Sequence, residues 1–194
     1  MESDSRGKWG GLRRQIVLSG VGGQGILFIT RLLAETAIAG GLPVLASETH
    51  GMAQRGGVVV SHLKTGGFHS PLVRTGRADL LIVLKEENIV LHRPFLADGG
   101  FLVVNAPAPP DAGPGVRVHA IDADALALSR GIPQAVNLVL LGFALARIGC
   151  DGTAGGFFCT AGEVREALSR RQGAGGARLS GSLAALDLGI AHGS

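Results

Sequence analysis

Gly20-Val21-Gly22-Gly23-Gln24-Gly25 lies between two apolar runs, Gln15-Ile16-Val17-Leu18-Ser19 and Ile26-Leu27-Phe28-Ile29. A short apolar run rich in β-branched residues reads as a buried strand. The glycines then turn the chain, and the second run starts a helix. Strand, glycine turn and helix start together form a unit that can hold a phosphate on backbone N–H groups. Gly20, Gly22 and Gly25 fit the Gly-x-Gly-x-x-Gly spacing. The first glycine allows the tight turn, the second lets backbone approach a phosphate, and the third lets helix pack closely on strand. Gln24, at the helix start, could add a side-chain amide. The same spacing also suits a tight turn with no ligand.

Working outward, Ile26–Ala39 is apolar on most faces and ends at Gly40-Gly41, a natural helix stop. Pro43–Ser47 reads as the next strand. Strand, helix, strand is a βαβ unit and predicts a parallel pair with a right-handed crossover. Glu48–Arg55 reads as a polar loop and Gly57–Lys64 as a strand. After Thr65-Gly66-Gly67 a short antiparallel return through Phe68–Val73 is allowed. Ala78–Leu84, Phe101–Asn105 and Val116–Ala120 read as further strands, and Lys85–Leu96 as a helix with Pro94 near its end. The loop 106–115 carries Pro107, Pro109, Pro110 and Pro114. Beyond Asp122 the pattern is helical. Ile132–Ile148 is strongly apolar, Thr160 and Glu163 match a capping box, 171–176 is loose, and Leu183–Ile190 closes the chain. The expected fold is an α/β, three-layer Rossmann-like domain whose sheet is mainly parallel and mixed at one side. Residues 1–14 are expected to be a flexible tail, and 15–194 a single domain.

The second informative stretch is His50-Gly51-Met52-Ala53-Gln54-Arg55-Gly56-Gly57. Arg55 offers a rigid fork suited to phosphate or carboxylate. Gly56 and Gly57 let backbone come close to a ligand or a neighbouring chain. The bland alternative makes Arg55 an ion-pair residue and the glycines a strand-entry bulge. In a βαβ fold both loops can share the carboxyl edge of the sheet, where ligands bind.

Composition narrows the classes. Charged residues are 17% of the 194 and apolar ones 46%, so much of the chain is buried, inside the domain or against a partner. The net charge is +3, and Arg6, Lys8, Arg13 and Arg14 read as a solvated N-terminal cluster. With one Trp and no Tyr there is no interleaving of aromatic and basic residues, which argues against nucleic acid. Cys150 and Cys159 fit neither a zinc nor a cluster spacing and read as inert thiols. The longest charge-free stretch, Gly131 to Ala146, falls short of the ~20 residues of a spanning helix. A soluble, cytoplasmic protein without membrane contact is expected.

The glycine turn, the apolar helix and Glu48-Thr49-His50-Gly51-Met52-Ala53-Gln54-Arg55-Gly56-Gly57 together resemble the gamma domain of the 2-oxoacid:ferredoxin oxidoreductases. The His-Gly-Met-Ala-Gln-Arg-Gly-Gly wording is most similar to the small (beta) subunits of the indolepyruvate branch. The resemblance is strong over Gln15–Lys64. It continues loosely through 78–84, 101–105, Pro133-Gln134-Ala135-Val136-Asn137 and 184–189, with Ser182 standing where an Asn before the final helix is expected.

Such enzymes decarboxylate a 2-oxoacid oxidatively to an acyl-CoA and pass electrons to ferredoxin. They use thiamine diphosphate and iron–sulfur clusters. This chain has neither a thiamine motif nor cluster cysteines. The resemblance therefore implies a non-catalytic small subunit, with thiamine and clusters on a larger partner and no cofactor held by this chain alone. It also implies that Gly20, Gly22, Gly23, Gln24, Gly25, His50, Arg55, Gly56 and Gly57 contribute to the subunit interface and to contact with a phosphate of CoA or of the thiamine cofactor.

Three other readings stay open at the level of sequence. One is a nicotinamide-dependent dehydrogenase, with Glu48 on the ribose. Another is a ubiquitin-activating-like adenylating fold, which would want zinc cysteines or a catalytic thiol. The third is a plain assembly module. Asn137 reads as a satisfied core amide and Lys85-Glu86-Glu87 as a solvated first turn. The remaining histidines, His62, His69, His92, His119 and His192, read as surface or hydrogen-bonded.

Overall fold

The computed structural model describes residues 12–50, 57–149, 156–172 and 176–194, with His50 described by its backbone alone. Six strands form one sheet: β1 (Arg14–Val21), β2 (Val44–His50), β3 (Val58–Thr65), β4 (Ala78–Val83), β5 (Leu96–Asn105) and β6 (Arg117–Ile121). Their order is β2-β3-β1-β4-β5-β6. β1, β4, β5 and β6 pair in parallel, whereas β3 runs antiparallel to both its neighbours. The sheet is therefore mainly parallel and mixed at one side, as the sequence predicts.

The predicted βαβ pair needs a correction. β1 and β2 do run the same way, but β3 is inserted between them and bonds to both. Hydrophobic periodicity reports which residues a strand buries. It carries no information about which strand lies beside it.

Alternation divides the core. Ile16, Leu18, Leu80, Ile82 and Val103 face one side, under α1 (Ile26–Ala39), α3 (Ala123–Ser129), α4 (Val136–Ile148), α5 (Ala161–Gln172) and α6 (Ala177–Gly193). Val17, Leu81, Val83, Leu102 and Val104 face the other, under Val73, Ile89, Leu96 and Ala112. That second cover is thin. The predicted helix 85–96 is broken into a 3-10 turn (Glu86–Asn88), the four-residue α2 (Ile89–His92) and a second 3-10 turn (Arg93–Phe95). Pro94 explains the break, because its ring and missing N–H end a helix. α4 is apolar on nearly all faces because the sheet lies on one side of it and α6 on another.

Other boundaries move for local reasons. Arg14, assigned to the tail, opens β1 and is buried, and Arg13 stacks over Phe68 at 4.1 Å. The cluster is therefore not simply solvated, although Arg6 and Lys8 lie outside the described residues. Glu48, Thr49 and His50, expected in a loop, extend β2 opposite Ser61, Val60 and Val59. Phe68–Val73 makes no strand. β5 starts at Leu96 because the turn-like Asp98-Gly99-Gly100 is absorbed by a register shift. The last helix starts at Ala177, so Ser182 lies within it and accepts a bond from Gln172 Nε2 at 3.1 Å. The capping box is present: the Thr160 N–H donates to Glu163 Oε2 (2.8 Å), and the Glu163 N–H donates to Thr160 Oγ1 (3.2 Å).

Candidate functional site

The connection after β1 leads through α1 to one side of the sheet, and the connection after β4 leads to β5 on the other. The carboxyl ends of β1 and β4 therefore flank a topological switch point, where open α/β sheets bind ligands. The glycine turn sits there. Because β3 is antiparallel, its first residues come to the same edge, and the Gly22 N–H donates to the Gly57 carbonyl at 3.0 Å. Two parts of the sequence signal, the turn and the end of the second loop, are thus joined by a backbone bond. His50 ends β2 at that edge, while Arg55 and Gly56 lie outside the described residues.

The turn is held from inside by side-chain amides. Leu84 N–H donates to the Ser19 carbonyl at 2.8 Å, the last rung of the β1–β4 ladder. The next rung would join the Val21 N–H to the Leu84 carbonyl. The Gln24 carboxamide is interposed instead. Its Oε1 accepts from the Val21 N–H at 2.9 Å, and its Nε2 donates to the Leu84 carbonyl at 3.3 Å. Gln24, expected to offer its amide to a ligand, uses both ends internally. Asn105 Nδ2 reaches the same Leu84 carbonyl at 3.3 Å, and its Oδ1 accepts from Ala123 N–H at the start of α3.

Beneath the turn lies a buried polar cluster that the sequence reading missed. Asn88 Nδ2 donates to the Gly20 carbonyl (2.9 Å) and to Ser19 Oγ (3.1 Å). His92 Nδ1 is 2.9 Å from Ser19 Oγ and 3.2 Å from the Asn88 carbonyl. Ser19, Asn88 and His92 are all buried. Burial holds the His92 imidazole below its ordinary pKa, opposed by the Asn88 carbonyl. His62 is lowered too, first by burial, then by the charges of His92 and Lys64. Phe95 separates the two rings, 5.2 Å from His62 and 6.2 Å from His92. The signal for Asn88 was an amide just beyond the end of a strand, hidden by two glutamates that read as a solvated helix start.

The glycines have distinct reasons. A Cβ on Gly20 would meet Gln24 Oε1 at 2.8 Å, so this position is glycine to admit the interposed amide. Gly23 has φ +96° with open space around it. Gly25 caps α1 at φ 76°, and a Cβ there would collide with the amide of Asn137. The third glycine thus makes room for α4 rather than for a strand. Asn137 donates to the Gly25 carbonyl at 3.3 Å and accepts from Leu138 N–H at 2.9 Å, a satisfied core amide as read.

A cavity of 380 Å³ opens between the turn, the first residues of α1 and Val59. A phosphate there would need donors. The N–H groups of Gly22 and Gln24 are committed to Gly57 and Val21. The candidates are Gly23 and the first turn of α1, whose N–H groups have no partner within the helix and whose cap supplies no side-chain bond. Among the described residues no group of His, Cys, Asp and Glu could hold a metal ion, and no helix is long and apolar enough to cross a membrane.

Residues 15–192 match the family model described as pyruvate ferredoxin/flavodoxin oxidoreductase. Indolepyruvate oxidoreductase subunit IorB of Archaeoglobus fulgidus is 33% identical over 151 residues, covering 68% of this chain and 75% of the relative. Among solved structures, pyruvate oxidoreductase subunit PORC of Thermotoga maritima superposes with a TM-score of 0.71 at 21% identity, covering 92% of this chain and 96% of that one. The 2-oxoglutarate:ferredoxin oxidoreductase of Magnetococcus marinus, solved with 2-oxoglutarate, coenzyme A and succinyl-CoA bound, gives 0.76 at 22% identity over 93% of this chain. This chain spans only 31% of that longer one. With the family model matched from the first strand to the last helix, the chain belongs to the pyruvate ferredoxin/flavodoxin oxidoreductase family, as a small subunit of the 2-oxoacid:ferredoxin oxidoreductase type.

Proposed function

We propose that this chain is the non-catalytic small subunit of an arylpyruvate-type 2-oxoacid:ferredoxin oxidoreductase. A larger partner would carry thiamine diphosphate and the iron–sulfur clusters, convert the 2-oxoacid to an acyl-CoA and pass electrons to ferredoxin, in the cytoplasm. The glycine turn Gly20–Gly25 and the loop bearing His50, Arg55, Gly56 and Gly57 would meet that partner and contact a phosphate of CoA. The observation that carries this reading is the Gly22–Gly57 bond at the sheet's carboxyl edge. It brings the end of the Arg55 loop to a turn with Gly23 and the α1 N-terminus as available donors. Indolepyruvate subunits among relatives at about a third identity support the arylpyruvate choice.

The test is co-expression with a thiamine-binding partner and an assay of CoA- and 2-oxoacid-dependent reduction of a low-potential dye. Indolepyruvate and phenylpyruvate are expected to outperform pyruvate and 2-oxoglutarate. Arg55→Ala is expected to raise the KM for CoA or to weaken assembly, each measured separately. Full activity of the large subunit without this chain would overturn the reading.

A further inference from the structure

We propose that Asn88 and Gln24 are positioning residues that set the shape of the glycine turn from behind, without touching its ligand. The proposal rests on the reading that the turn contacts CoA. β4 ends at Val83, while β1 continues to Val21. Past that point the last residues of β1 have no strand on their β4 side. Two carboxamides take its place. Gln24 bridges Val21 N–H and the Leu84 carbonyl, and Asn88 holds the Gly20 carbonyl and Ser19 Oγ. A carboxamide offers a donor and an acceptor at the spacing of a peptide group, so it can stand in for backbone.

Asn88 is 4% exposed, too deep to meet a ligand directly. His92 Nδ1 lies 3.2 Å from the Asn88 carbonyl and 2.9 Å from Ser19 Oγ, which ties the ring to the same cluster. The segment 86–92 therefore holds the same turn whose Gly23 and α1 N–H groups are the candidate donors. Displacement of those donors by even a fraction of an ångström weakens the bonds they make to an anion, since hydrogen bonds lose strength steeply with geometry.

The experiment uses the complex with its thiamine-binding partner. Asn88→Ala and Gln24→Ala are expected each to raise the KM for CoA by roughly tenfold, with kcat for the 2-oxoacid at saturating CoA nearly unchanged. The double variant should be little worse than the worse single, because both act on one turn. Amide hydrogen exchange at 21–25, read without CoA, should quicken in both singles. A lower Tm for Asn88→Ala with unchanged CoA KM and unchanged exchange at the turn would overturn the proposal and leave Asn88 merely structural. Gly23→Ala, at a position with φ +96° and open space, separates the two ideas. If it raises the CoA KM while Asn88→Ala does not, positioning fails and the contact reading survives. If neither variant moves the CoA KM, the contact reading fails as well.

Discussion

Gly189→Ala should be among the most damaging single-methyl changes in this fold, although alanine is the better helix former. Gly189 lies inside α6, against α4. A Cβ there would overlap the Val139 carbonyl oxygen and come within 2.8 Å of the Phe143 nitrogen. Both obstacles are backbone atoms, so no rotamer change can relieve them. Restoring an ordinary contact of about 3.5 Å requires the helices to part by roughly 0.7 Å at Phe143, and by more at Val139. A gap of that size forfeits a quarter to a half of each pair's dispersion energy, along an interface where Ala185, Leu186, Leu138 and Phe143 are all buried. Gly142 approaches Leu186 as closely from the other side. Overpacking of this kind costs ~3 kcal/mol or more, against which the propensity gain is about 1 kcal/mol. The net loss is about 2–3 kcal/mol, or roughly 4–12 °C in Tm at this chain length. Gly181→Ala is the internal control: it lies in the same helix with nothing near its would-be Cβ, and should gain about 1 kcal/mol. The assay is calorimetric unfolding of both variants beside the parent. If Gly189→Ala is as stable as Gly181→Ala, the close approach of α4 and α6 is wrong.

Three further outcomes are expected. His62 and His92 have pKa values lowered mainly by burial. The unfolded chain therefore binds protons first, and stability should fall as pH drops through about 6.5, the ordinary histidine value. Asp79, raised by burial, acts with the opposite sign nearer pH 4, so unfolding midpoints between pH 7.5 and 5.5 isolate the histidines, and His62→Phe should flatten the slope. Thr160→Ala removes one half of the capping box and should cost about 1 kcal/mol, read as faster hydrogen exchange in the first turn of α5. Gly23→Ala meets no neighbour but must hold φ +96°, so its cost should be backbone strain alone, about 1–2 kcal/mol, measured by urea unfolding.

What the sequence disclosed depended on whether the cause was local. α1 was readable at both ends because Gly25 and Gly40 flank one amphipathic run. α6 was not. Ser180-Gly181-Ser182 near its start are weak helix formers, and burial of Leu179 in the core, which no local pattern marks, helps hold that turn in the helix. The carboxyl edge shows the same division. The glycine spacing and Gly57 were visible as candidates because turn chemistry is local. The insertion of β3 between β1 and β2, and the arrival of Asn88 beneath Gly20, depend on pairing across 37 to 68 residues. No periodicity encodes such contacts.

That insertion also decides what the glycine spacing means. In a dinucleotide site the acid that meets the ribose follows the strand beside the glycine strand. Here Glu48 pairs with Ser61 of β3, two strand spacings or about 9.6 Å from β1. The crevice between β1 and β4 that a dinucleotide would enter holds the Gln24 carboxamide. The Gly22 N–H, which the same spacing reserves for a pyrophosphate, is taken by Gly57. A glycine turn's ligand is set by which N–H groups stay free after its own fold has used the others. Among the described residues those are Gly23 and the start of α1, a donor set sized for one phosphate group and not for a pyrophosphate. Tight NAD binding by this chain alone would contradict that donor count.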